Sequence, residues 1–158
     1  AAAEIVLQHY PRCHFLLAGK AIDSANRELV VRVAQAGLGE HVHLLGYRDD
    51  IPQLNAALDI ACSSSMGEGF PNTIGEAMAC AIPCVVTDVG DSARLVGDTG
   101  NVAPPLQPEA LAEQMISLLA QGSVAWRSRG LAARERIAEY YSLSAITAEY
   151  NALWRASV

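Results

Sequence analysis

Glu68 and Glu76 stand at the two ends of a turn that leads into a helix, within Ser65-Met66-Gly67-Glu68-Gly69-Phe70-Pro71-Asn72-Thr73-Ile74-Gly75-Glu76. Pro71 has a ring-fixed φ suited to the first helical position and lacks the amide that would go unpartnered there. Gly67 and Gly69 let the backbone approach a ligand closely. The amides from Asn72 onward point out of the helix start, and such a terminus attracts anions, phosphate above all. A carboxylate beside a phosphate is repelled, so Glu68 and Glu76 fit the sugar hydroxyls that flank phosphates. One meets a ribose and the other a second sugar. The pattern predicts a nucleotide sugar.

Short apolar runs alternating with helical patterns position this turn, and they predict βαβ units with a parallel sheet. After a helix over 1–9, strands are expected at 14–18, 42–45, 60–62, 84–87 and 102–103. Ser24 is expected to cap a helix whose stripe is Leu29, Val30, Val33 and Ala34. A short helix follows Asp50 over 52–58, and another opens at Pro71. The C-terminal third is helical, over about 108–121, then from a Ser123 cap to 140, then from a Ser144 cap to 156. The fold class is therefore α/β, a Rossmann-like parallel sheet with helices on both faces and a helical C-terminus. Ligands of such sheets bind beyond the carboxyl ends of the strands. Lys20, Tyr47-Arg48, the segment 63–72 and Asp88-Val89-Gly90 should converge on that rim.

A chain of 158 residues with 51% hydrophobic content suits one domain with a buried sheet. Its net charge of −6 argues against nucleic acid, whose binding rests on basic groups. No apolar run approaches the roughly 20 residues that span a bilayer, and no signal peptide is visible. The four cysteines, Cys13, Cys62, Cys80 and Cys84, are expected as mostly buried free thiols in a reducing cytoplasm. His41 and His43 alternate along one strand and would share a face, but two histidines without a third ligand do not make a metal site. Ser63-Ser64-Ser65 lacks the surroundings of a nucleophile elbow, so polar lining or helix-start capping accounts for it.

Glu68-Gly69-Phe70-Pro71-Asn72 with Glu76, followed by Ala77 to Gly90, resembles the donor-binding domain of retaining, GT-B-fold glycosyltransferases of the large group-1 family. The paired glutamates with seven residues between them are that family's signature. The resemblance extends through Gly19, Leu44-Leu45-Gly46-Tyr47, Gly97-Asp98-Thr99-Gly100 and the tail from Tyr150 to Trp154. Gly90-Asp91-Ser92 and Val96 to Gly100 are most similar to the branch building bacterial surface polysaccharides.

The resemblance implies specific roles. Glu68 meets the donor sugar's hydroxyls as the catalytic-site carboxylate, orienting the sugar rather than attacking it. The Gly69 and Phe70 amides sit against the hexose, Pro71, Asn72 and Thr73 form the phosphate-facing helix start, and Glu76 holds the ribose. Tyr47 and Arg48 lie where the family binds the base, mainly through backbone, which leaves uridine and guanosine both open. Lys20 is either a phosphate contact or a solvated lysine. No metal or other cofactor is implied.

The family's Gly-Arg and downstream Lys for the diphosphate do not occur, and Ala81, Asp91 and Arg94 depart from its usual residues. Residues 1–158 are thus expected to form a single nucleotide-sugar-binding domain, the C-terminal half of a two-domain enzyme whose N-terminal acceptor domain lies elsewhere. Alone, it should bind a nucleoside diphosphate without transferring sugar. Its setting is expected to be cytoplasmic, peripheral to the inner membrane in the full-length protein. A vacant sheet position and an apolar face at Ile146, Tyr150, Leu153 and Trp154 would favour self-association.

Two other readings share some of these residues. Gly67-Glu68-Gly69 after a strand, with Asp88 ending the next, mimics a dinucleotide-binding oxidoreductase fingerprint. Pro71 in the turn and Asn72 at the third glycine position weigh against it. A non-catalytic nucleotide-binding module would use every donor-site residue.

Overall fold

The computed structural model describes residues 1–157. Helix α1 (Ala2–His9) leads to β1 (Phe15–Leu17), α2 (Arg27–Gln35), β2 (Val42–Leu44), α3 (Ile51–Ala56) and β3 (Ala61–Ser63). Then come α4 (Asn72–Ala79), β4 (Cys84–Thr87), α5 (Ser92–Val96), β5 (Asn101–Ala103), α6 (Pro108–Ala120), α7 (Gly122–Tyr140) and α8 (Leu143–Ala156). The α/β order and the parallel pairing agree with the sequence reading. Several helix starts do not. Asn26, not Ser24, caps α2 by accepting from the Leu29 amide, and Ser142, not Ser144, caps α8 by accepting from Ala145. Helix α7 starts at Gly122 with no side-chain cap, so Ser123 lies inside it.

Strand β4 is the centre of the domain. All four of its residues are buried, which is what helices on both faces require. Its alternation sends Cys84 and Val86 to one face, where they pack with Ile74 and Met78 of α4, Leu95 and Val96 of α5, and Ala133 of α7. Val85 goes to the other face, with Leu111 and Leu118 of α6 and the half-buried Ala2 of α1.

The parallel ladder falls into two groups, β1 with β2 and β3 with β4 and β5. The Phe15 amide donates to His41 O, so by period-two alternation the Leu16 amide faces away from β2. Likewise the Ala61 amide donates to Pro83 O, which turns the Cys62 amide away from β4. Leu16 and Cys62 are both exposed, and no strand among the described residues joins β1 to β3. The first sixty residues are correspondingly thin in core, with Val6 and Leu38 as their buried apolar side chains and none buried on α2.

The cysteines are free, but of the four only Cys84 is buried; Cys13 and Cys80 are half-buried and Cys62 is exposed. The expectation of mostly buried thiols is corrected by the open edge of β3. Burial pushes the Cys84 thiol up to about 12 and the Cys62 thiol up to about 11. The raised value follows from desolvation by the surrounding protein, although the residue borders the open edge of β3. The Cys62 side chain is thus held as the neutral thiol well above the pH at which an ordinary thiol ionises. With Cys13 and Cys80 replaced by serine, modification of Cys62 by a maleimide should therefore accelerate about tenfold per pH unit through pH 9.5. A plateau near pH 8.5, as for an ordinary thiol, would contradict this desolvation.

At the other end of the chain, Tyr150, Leu153 and Trp154 of α8 are 62%, 64% and 74% exposed, and Ile146 is half-buried. The apolar face of α8 does not fold onto its own domain. No helix of the described residues is long and apolar enough to cross a membrane.

Candidate functional site

The carboxyl end of β3 runs into an irregular, largely exposed loop that reaches α4 at Asn72. Pro71 is not the first helical residue. Its ψ of 82° is non-helical, so it stands immediately before the helix, buried, with its carbonyl accepting from the Ile74 and Gly75 amides. The Asn72 amide closes onto Phe70 O at 3.0 Å and is not free for an anion. The amides of Gly69, Phe70 and Thr73 have no acceptor among the described residues. These three are the donors that the helix start offers to a ligand.

A chain of hydroxyls orients Glu68. Ser65 Oγ donates to Glu68 Oε1 at 2.7 Å, Ser63 Oγ donates to Ser65 Oγ at 3.2 Å, and the buried Thr87 donates through Oγ1 to Ser65 O at 2.7 Å. The serine run is thus neither a nucleophile nor a helix cap; it fixes a carboxylate. Glu76 lies one turn into α4 and is exposed.

The turn after β4 holds the same loop from behind. The Asp91 amide donates to Gly69 O at 3.0 Å. Gly90 has φ +52°, and a Cβ there would stand 2.2 Å from Glu68 O. From the side, the Tyr141 ring at the end of α7 meets Phe70 with centroids 5.7 Å apart. Both rings and Glu76 border a cavity of ≈ 310 Å³ between α4 and α7. A smaller cavity of ≈ 220 Å³, between Pro83 and Trp126, lies at the opposite strand ends and contains none of the candidate residues.

Lys20, Tyr47 and Arg48 sit on a second stretch of the rim, after β1 and β2. The Gly19 amide donates to Gly46 O and the Gly46 amide to Ile22 O, which stitches the two turns together. Arg48 is already engaged, with Nε donating to Asp50 Oδ1 at 2.7 Å and Nη2 to Oδ2. This pairing raises the guanidinium pKa and holds the Asp50 carboxyl below the usual range. Tyr47 is 80% exposed, and Lys20 is exposed with no carboxylate at ion-pair distance among the described residues. The rim therefore comes as two stitched halves, one bearing Lys20, Tyr47 and Arg48, the other bearing residues 68–73 and Glu76.

The histidines lie away from it, toward the start of β1 and β2. His41 precedes β2 and donates through Nδ1 to Cys13 O, 2.9 Å away, while His43 pairs with His14, Nε2 to Nδ1, at 3.0 Å. Both rings lie near a third histidine, His14, whose ring centroid is 5.5 Å from that of His41 and 5.1 Å from that of His43. Sequence spacing missed it because His14 is on the neighbouring strand. Tyr141 and Thr87 were missed because they reach the loop from other elements, the end of α7 and the end of β4.

Comparison with known proteins places this geometry in context. The family model described as "Glycosyl transferases group 1" matches residues 1–121. The N-acetyl-alpha-D-glucosaminyl L-malate synthase of Bacillus anthracis is 32% identical over 117 residues, 73% of this chain and 30% of its own length. The lipopolysaccharide core biosynthesis mannosyltransferase LpsB of Rhizobium meliloti is 44% identical over 69 residues, 44% of this chain and 20% of its own. Among solved structures, the Anabaena protein HepE in complex with UDP and glucose superposes with a TM-score of 0.78 at 25% identity, over 96% of this chain and 44% of that one. This chain thus spans less than half the length of each of these three proteins.

Proposed function

Because the chain belongs to the glycosyl transferases group 1 family, we propose that it is the donor-binding part of a retaining hexosyltransferase of polysaccharide biosynthesis. The donor is a UDP- or GDP-linked hexose, and the acceptor, a lipid-linked or saccharide hydroxyl, is held by a separate N-terminal domain. The observation that carries this reading is the pair of exposed carboxylates flanking a helix start with free amides. The names of the relatives, a mannosyltransferase among them, and the UDP and glucose of the structural neighbour support it.

In this reading Glu76 accepts from ribose hydroxyls, and Glu68, held by Ser65, accepts from hydroxyls of the transferred sugar. The free amides at Gly69, Phe70 and Thr73 face the sugar and the diphosphate. As the anomeric bond breaks, negative charge builds on the departing diphosphate, and the N-terminus of α4 stabilises it without a metal. Lys20 supplies a positive charge on the opposite half of the rim, and the base rests on the backbone at Tyr47-Arg48. Glu68 orients; it forms no covalent bond. The full-length enzyme works in the cytoplasm at the inner membrane.

Titration calorimetry with UDP, GDP and NAD tests the reading directly. One of the nucleoside diphosphates is expected to bind and NAD is not; tight NAD binding would favour the oxidoreductase alternative. Glu76→Ala should then weaken nucleoside diphosphate binding about tenfold to hundredfold, the worth of a charged hydrogen bond. Glu68→Ala should spare it and weaken the nucleotide sugar instead. Identical responses of both ligands to both variants would refute this division of roles.

A further inference from the structure

The donor loop has little internal structure of its own, and three contacts outside it determine its shape. The first is the Asp91 amide on Gly69 O, and the second is Thr87 Oγ1 on Ser65 O. The third is the Tyr141 ring against Phe70, with centroids 5.7 Å apart and planes tilted by 48°. Phe70 is 42% exposed, so its place rests on that one aromatic neighbour more than on burial.

Tyr141 is itself held. Its hydroxyl donates to Arg94 O at 3.3 Å, and Arg136, on the preceding turn of α7, donates to Arg94 O at 2.7 Å and to Leu95 O at 2.9 Å. The guanidinium lies against Gly97, where a Cβ would come within 2.7 Å of Arg136 Cζ. The end of α7 is therefore fastened to the carboxyl end of α5, while the turn leading into α5 is bonded to the donor loop through Asp91. Loop, α5 and α7 close a ring of contacts, and the Phe70–Tyr141 pair is its last link.

We propose that Tyr141 is a positioning residue for the donor sugar, holding Phe70 so that the free Gly69 and Phe70 amides keep the orientation in which they meet the hexose. The inference rests on the donor-site reading above and adds to it a residue from a distant helix. The ring does the holding, and the long hydroxyl bond to Arg94 O at 3.3 Å is secondary. In this reading the bare nucleoside diphosphate relies on Thr73 and Glu76, which lie within α4 beyond Phe70, so Tyr141 acts chiefly on the sugar moiety.

The test compares UDP with UDP-glucose, and GDP with GDP-mannose, by calorimetry on the full chain and on Tyr141→Leu, Tyr141→Phe and Phe70→Leu. Tyr141→Leu should lower affinity for the nucleotide sugar about threefold to tenfold while changing the nucleoside diphosphate less than twofold. Tyr141→Phe, which keeps the ring, should stay near wild type. Phe70→Leu removes the same contact from the exposed side; it should reproduce the loss, and combining it with Tyr141→Leu should add little. The double variant measures the coupling, and Phe70→Leu alone decides the matter if Tyr141→Leu does not fold. Equal loss for both ligands, an effect of Tyr141→Phe as large as that of Tyr141→Leu, or no loss in Phe70→Leu would each overturn the proposal. Wild-type chain that binds neither nucleotide nor nucleotide sugar would instead sink the donor-site reading, and this inference with it.

Discussion

Replacing Gly130 by alanine is expected to destabilise the domain by about 2–4 kcal/mol, a large part of the roughly 5–15 kcal/mol that holds a domain folded. Gly130 is buried in α7 where the helix crosses the turn between α4 and β4. A Cβ there would stand 1.9 Å from Ala81 O and 2.7 Å from Ala81 C. Both are backbone atoms, so no side chain can rotate away, and the helix itself must move. That movement would loosen Ala133 and Ile137 from the core formed by Met78, Cys84 and Val86. Helix interiors disfavour glycine by about 1 kcal/mol, so close approach is the reason for one here. The urea midpoint should fall by roughly 1–2 M with an unchanged slope. Gly39→Ala, where a Cβ meets nothing within 4 Å, serves as the control and should leave the midpoint in place. A Gly130→Ala midpoint equal to the control's would mean that α7 does not lie against the turn as described.

The Ala81 turn shows what residue patterns convey and what they do not. The family resemblance implies a glycine where Ala81 stands. The structure supplies the reason: its φ is 61°, a left-handed conformation that costs an alanine about 1 kcal/mol. Strands were readable because each is a short apolar run, and all five appear within a residue or two of the expected spans. Helix caps were less so. Serine, threonine, asparagine and aspartate compete for the role, and local backbone geometry chose Asn26 over Ser24. The break in the ladder between β1 and β3 was legible only as a vacancy, since no residue type states which edges meet. Within the site, Glu68, Glu76 and the helix start carry their chemistry in their own side chains and amides. Ser65 and Gly90 were placed on the rim by their position after strands, but the contacts they make, like those of Thr87 and Tyr141, run across the fold and leave no mark on spacing.

The second large effect is expected at Gly90. Its φ of +52° suits glycine, and a Cβ there would lie 2.2 Å from Glu68 O, 2.7 Å from Gly69 O and 2.8 Å from Glu68 C. Alanine at this position therefore conflicts twice, with its own backbone and with the donor loop. The loop is the softer party, because it is exposed and irregular, whereas the turn at Gly90 is tied to the buried strand β4 and to Ser92, whose exposure is 0%. Gly90→Ala should therefore displace the Glu68-Gly69 segment and break the Asp91–Gly69 bond before it unfolds the core. Global stability should drop by about 1–3 kcal/mol, the range for overpacking. Nucleotide-sugar affinity should drop at least about tenfold, since the Glu68 carboxylate and the Gly69 amide leave their places together. Binding of the bare nucleoside diphosphate, which relies on Glu76 and Thr73 within α4, should fall much less. Calorimetry with both ligands, at a temperature where circular dichroism reports the variant as folded, separates the two effects. A folded Gly90→Ala variant that binds the nucleotide sugar as tightly as wild type would show that the donor sugar does not sit on this loop.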